Sequence, residues 1–320
     1  MAEQSPLAQS FTGLRASWRA WTILLVAGLS WGATFSLAKI ATKNGAEPLG
    51  VTLWQGFLGA AILAIVETLR RRKLPLDRHH LGFYLLCGLL GTVIPSTLYY
   101  YAAPHLPAGV LGITAAFVPL LTFVGAALLR LEPVQPLRLI GVLLGITAVL
   151  MIAVPETSLP EHKAAVWVVV AVGAALSYAA EAVVIALWRP PSTQSLTLLW
   201  GMMVVSTLLL APAVLASASF IPLAWPWGSV EWAIIGMAAI NVFSYALFVY
   251  LVSASGPVFA SQMAYIVTIS GVLWGLVIFE EHHSAWIWGA LAVMLTGLAL
   301  VTPRVQDSGS RTLEPGRSQS

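Results

Sequence analysis

The sequence predicts an all-α polytopic membrane protein of ten transmembrane helices, arranged as two inverted five-helix repeats. Three observations lead there. The 320 residues are 58% apolar and 9% charged, against roughly 25% charged in a soluble domain, and the mean hydropathy is +0.86. The charges are bunched, so that residues 79–129, 190–230 and 232–279 contain no Asp, Glu, Lys or Arg. The two halves of the chain also resemble each other at a nearly constant spacing, the mark of an internal repeat. A lone Cys87 excludes a disulfide framework.

A helix needs about 20 mostly apolar residues to cross the hydrocarbon core, and backbone groups in lipid must be satisfied within the segment or within a closed barrel. The apolar runs are continuous rather than alternating, which excludes barrel strands. Charges, prolines, glycines and serines divide them into spans at 20–41, 49–69, 82–102, 108–129, 136–154, 163–188, 195–217, 229–252, 257–279 and 285–302. The first span is too long for a signal peptide and runs straight into Lys39 and Lys43. The repeats are bounded at 20–155 and 156–303, and the polar segments 1–19 and 304–320 read as disordered tails.

Basic residues set the orientation. With the N-terminus inside, thirteen of them (including Arg19, Arg70, Arg71, Arg72, Lys73, Arg130 and Arg189) are cytoplasmic, and only Lys39, Lys43 and Lys163 are outside. Both termini are therefore expected in the cytoplasm. The Arg70–Lys73 run reads as a membrane anchor and not as a nucleic-acid site.

Leu29-Ser30-Trp31 recurs as Leu176-Ser177-Tyr178, and Leu53-Trp54 as Leu199-Trp200. Gly88, Ser96, Ala116, Glu132 and Gly141 recur as Gly236, Ser244, Ala264, Glu280 and Gly289. Five spans per half is an odd number, so the second half enters the membrane upside down. Inverted repeats are a device for alternating access to a central site.

Ser30-Trp31-Gly32-Ala33-Thr34-Phe35 with Lys39 resembles the opening of the drug/metabolite transporter superfamily, EamA type. So does the pattern Ala116, Pro119, Glu132, Gly141 with its echo Ala264, Glu280, Gly289. The resemblance covers residues 20–303. It implies ten helices as five plus five, with export or exchange of small metabolites across a bacterial inner membrane. The halves differ in detail: Val267 stands where Pro119 would be echoed, and Tyr178 where Trp31 would be.

Polar groups inside lipid are costly and mark functional paths or helix contacts. Glu181 is the acidic residue well inside a span, and its carboxyl can bind a substrate ammonium or carry a proton. Tyr178 lies one turn earlier on the same helix face, with Trp31 as its counterpart in the first half. Trp54, Gln55, Tyr99, Trp200, Asn241, Tyr245 and Gln262 complete an uncharged polar and aromatic set. Apolar walls with a few orienting groups suit an amphipathic or zwitterionic solute. No mid-membrane Lys or Arg is available to clamp a phosphate. Gly28 and Gly32 permit a close helix approach, Pro95 and Pro119 permit kinks, and nine tryptophans near span ends read as an interfacial belt. Glu280-Glu281-His282-His283 reads as a loop cap, or as an ion pair with Lys39 or Lys43, in preference to a metal site.

The expected function is secondary active transport of small organic metabolites such as amino acids or amphipathic cations, by export or exchange. Protons are the candidate coupling ion, and the chain acts as a monomer or weak homodimer. The alternatives are an intramembrane enzyme and a scaffold or sensor. No catalytic residues, cofactor, metal or nucleic acid are expected: the chain has no nucleotide-binding loop, no metal-binding helix motif and no nucleophile elbow.

Overall fold

The computed structural model describes residues 6–154 and 164–302, the side chains of residues 6–17, 257 and 258 excepted. Among the described residues, helices and their connecting turns are the whole of the regular structure. Among the described residues, nine helices are long and apolar enough to cross a membrane. Spans one to five are Trp18–Lys43, Pro48–Leu69, Arg78–Ala102, Ala108–Leu128 and Pro136–Ala153. Spans six to nine are Ala165–Trp188, Ser195–Ala216, Ser229–Ser255 and Phe259–Phe279, and the shorter apolar helix Ala285–Val301 is span ten. The protein is a polytopic membrane protein of ten helices.

Local chemistry explains the boundaries. Pro48 and Pro136 open spans two and five, at positions where the missing N–H has no intrahelical partner to lose. Asp77 caps span three by accepting from the His79 and His80 amides. Eight of the nine tryptophans assigned to the belt are exposed. Residues 6–19 differ from the expected tail: the first helix runs Pro6–Lys43 without a break, because no proline interrupts it after Pro6 at the first position. Residues 1–5 and 303–320, Lys163 and the connection at 155–162 lie outside the described residues.

Contacts between chain segments show the spans alternating in direction. At the Lys43 end, Asn44 donates to Ser229 (3.3 Å), and His105 stacks on Trp167 with ring centroids 4.1 Å apart. At the Trp18 end, Trp21 meets Phe259 and His79 meets Trp188. Span one packs on spans eight and nine, and span six packs on spans three and four. Span two packs on seven, four on nine, and five on ten. This pairing is unchanged when every span is exchanged for the one five places along.

Gly28 and Gly32 hold span one against span nine: a Cβ on either would overlap Ile266 or Ser270. The main core lies in the middle of the bundle and at its Lys43 end, where Ala38, Ala41, Leu106, Val110, Ile234 and Ile287 are all buried. Span five is lipid-facing, with 22% of its residues buried against 56% in span four.

Candidate functional site

Three of the spans are irregular near the middle or one end, and lipid tolerates irregular backbone only where protein or a cavity receives it. Span four breaks into Ala108–Ala115 and Val118–Leu128, since Pro119 cannot donate to the Ala115 carbonyl. Span nine has a short first turn, Pro257–Ser261, before Met263–Phe279. Span three contains a π-helical turn at Leu89–Val93, a feature that recurs at functional sites.

The π-turn has an identifiable cause. The Ile94 amide bonds the Leu89 carbonyl, five residues back. In the same register Leu90 would accept from residue 95, but Pro95 has no N–H. The orphaned Leu90 carbonyl accepts instead from the Ser177 hydroxyl of span six, 2.7 Å away. Likewise the Gly88 carbonyl accepts from Ser206 of span seven at 3.1 Å. Span three is thus unwound where two neighbouring helices supply its missing donors.

Glu181 sits against this turn. A Cβ on Gly91 would overlap its carboxyl group, so the glycine makes the room that the acid fills. Glu181 is half-buried and makes no hydrogen bond or ion pair with the described residues. Cys87 of span three, Tyr178 of span six and Tyr245 of span eight lie within electrostatic reach of it. The Tyr178 ring lies 6.3 Å from that of Tyr99, which meets Phe35 at 5.9 Å. The Tyr99 hydroxyl is buried beside Thr114 without a well-formed hydrogen bond. The structure therefore gathers Glu181, Tyr178, Tyr99 and Tyr245 from three spans around one unwound turn.

The other residues singled out in the sequence fall elsewhere. Gln55 is buried and accepts from Tyr100, next to Tyr99. Trp200 packs beside Tyr245 against Leu63 and Val242. Asn241, one turn before Tyr245, is half-buried. Trp31 packs in a separate cluster between spans one, eight and nine, and Gln262 stands at the junction before the second piece of span nine. Trp54 donates to the Ile221 carbonyl at 2.8 Å and contacts Phe220, so it pins the 218–228 loop at the Lys43 end.

A second polar cluster closes that end. Glu280 is left-handed (φ 51°, ψ 37°) and turns the chain back on span nine. Glu281 then folds over Gly275, where a Cβ would collide with its carboxylate. Its Oε1 accepts from Lys39 Nζ at 2.6 Å and from the Ala108 amide at 2.8 Å. Its Oε2 accepts from the Gly109 amide at 3.4 Å and lies 3.6 Å from His283 Nε2. Lys39 also stands over the Phe279 ring, 4.8 Å from its centroid. Burial pushes the His283 imidazole below its ordinary value, against the attraction of Glu281. The expected ion pair with Lys39 is present, and the loop cap is the N-terminus of the Ala108–Ala115 helix. Among the described residues no three His, Cys, Asp or Glu side chains converge as metal ligands.

Sequence reasoning missed the π-turn, Gly91, the bond from Ser177 to Leu90 and the fully buried Glu67, which Thr197 and Arg70 attend. Pro95 four residues after Gly91 was the available signal for the first two.

Residues 18–154 match the EamA-like transporter family. Among curated proteins, the chain is 31% identical to an uncharacterized protein of Pseudomonas aeruginosa over 36% of this chain and 38% of that one. It is 24% identical to the protein PagO of Salmonella typhimurium over 42% of this chain and 44% of that one. The chain thus spans less than half the length of these two relatives. An uncharacterized transporter, YvbV, of Bacillus subtilis is 24% identical over 88% of this chain and 92% of its own length. A solved crystal structure shares the fold with a TM-score of 0.58 and 20% identity, covering 89% of this chain and 97% of that one. Residues 18–154 are thus similar to the EamA-like transporter family, and the chain is a multi-pass membrane protein.

Proposed function

We propose that this chain is a secondary transporter that exports or exchanges small organic metabolites, amino acids or amphipathic cations, by alternating access. Its two halves, 20–155 and 156–303, act as inverted repeats in a bacterial inner membrane, with both termini cytoplasmic. The pairing of spans that survives a shift of five places supports the repeat, and the bacterial relatives support the location.

The observation that carries the reading is Glu181. A charge in mid-membrane costs about 2.5–3.5 kcal/mol on insertion scales, and partners normally offset it. Glu181 has none among the described residues, which leaves it open to a partner that the solute brings. A solute ammonium or a proton fills that role, while the Tyr99, Tyr178 and Tyr245 rings supply an apolar wall. A cation over such rings gains further from their electron-rich faces.

Ligand-dependent thermal stability tests this. A ligand that binds only the folded state raises the melting temperature with its concentration. Amines and amino acids should stabilise the purified protein and lose that effect in Glu181→Gln. Stabilisation by organic phosphates or carboxylates, with amines inert, would overturn the assignment.

A further inference from the structure

The two ends of the bundle are closed differently. At the Lys43 end, Glu281 joins three spans at once: Lys39 of span one, the amides that begin span four, and its own span nine. The side chains of Lys39 and Glu281 are 12% and 9% exposed. Around them the 218–228 loop is pinned by Trp54. The internal repeat says what should stand at the other end. Lys39 corresponds to Ala186, Glu281 to Pro133, and Ala108-Gly109 to Gly256-Pro257. None of these carries a charge. In place of a clamp, the Trp18 end has a cleft of about 410 Å³ between spans one, eight and nine, lined by Arg19, Ile23, Tyr250, Ser255 and Phe259.

We propose that Lys39, Glu281 and the N-terminus of the Ala108–Ala115 helix form the outer gate of the transporter, which is shut in this structure and must part for Glu181 to face outward. The inference rests on the transport reading above and adds to it the residues that hold one side closed. The chemistry suits a gate. The clamp consists of charge-assisted hydrogen bonds and a helix N-terminus, and each of them can be exchanged for water once the spans separate. Glycines rather than packed side chains receive Glu281: a Cβ on Gly275 would collide with it, so the carboxylate leaves without unlocking a core. The clamp also joins the first half of the chain to the second, the pair of bodies that must move. The equivalent positions at the opposite end lack these charges; the polar contacts there are different ones, such as Arg138 with Glu132 and His80 with Thr193, so the two states are held by different contacts.

Thiol labelling from the outside tests the gate. Thr114 is fully buried, one helix below the clamp and beside Tyr99, and the buried Cys87 provides the blank. In cells or oriented vesicles, Thr114→Cys should react slowly with an impermeant reagent, and at least tenfold faster when combined with Lys39→Gln or Glu281→Gln. A second arm covers poor folding of those variants: Lys39→Cys with Glu281→Cys, joined or left unjoined by a short bis-maleimide. A gate predicts solute flux in the unjoined protein and none in the joined one. Unchanged labelling, or equal flux with and without the bridge, would make the clamp a fixed strut and overturn the proposal. Fast labelling in variants of a protein that moves no amine or amino acid would keep the gate and overturn the transport reading instead.

Discussion

Glu281 and Glu181 are the same side chain in opposite circumstances. Glu281 accepts from a lysine and from two backbone amides, and a histidine lies beside it. Glu181 lies against a bare glycine, within reach of two tyrosines and a cysteine, and no ion pair or hydrogen bond with a described residue neutralises it. The first has spent its bonding capacity on holding spans together. The second keeps its capacity for something that arrives. Burial alone does not separate a structural carboxylate from a functional one, since both are inside the bundle. The completeness of the partner set does.

The largest expected effect separates the two directly. Glu281→Ala strands a buried lysine and uncaps a helix, and breaking a buried pair in this way typically costs about 3–5 kcal/mol. Glu181→Ala removes a group that bonds none of the described residues and should cost much less. Thermal unfolding in detergent should rank them in that order, and equal losses would erase the distinction. Next in size is Gly91→Ala, which forces the new methyl group into Glu181. Overpacking of this kind costs about 1–3 kcal/mol, and transport should fall at least tenfold because the carboxylate is displaced. If Gly91→Ala transports normally, the contact with the π-turn is incidental.

A smaller effect concerns pH. Burial holds the His283 imidazole below its ordinary value near 6.5, so the unfolded chain takes up that proton first. The associated stability is complete above about pH 6.5 and is lost as pH falls through that value toward the folded one. Melting temperature should decline from pH 7.5 to 5.5, and His283→Gln should flatten the decline. The smallest effect is Glu280→Gly. A left-handed residue at a helix C-terminus favours glycine, so this change should stabilise the protein by about 1 kcal/mol. Destabilisation would mean that the Glu280 side chain has a partner of its own.

Span positions were legible in the sequence for a plain reason. Pro48 and Pro136 start helices wherever they occur, and apolar runs of about 20 residues have only one stable form in lipid. Spans two and five were located to within one residue at each end. The polar set was legible by type but not by place. Tyr99, Tyr178, Glu181 and Tyr245 converge, whereas Trp54 serves a loop that no helical pattern reveals. The π-turn stayed hidden because its cause is shared: Pro95 removes a donor in one span, and Ser177 supplies it from another. Similarly, Glu280 and Glu281 are indistinguishable as letters. The left-handed turn at Glu280 decides which of them reaches Lys39.

The most direct measurement is flux per folded molecule in reconstituted vesicles, comparing the native chain with Glu181→Gln at matched thermal stability. The amide keeps the size of the side chain and most of its hydrogen bonding while removing the charge. Transport of an amine or amino acid that falls at least tenfold in Glu181→Gln, with folding preserved, is the predicted result. Equal flux in the two proteins would contradict the account and remove Glu181 from the path.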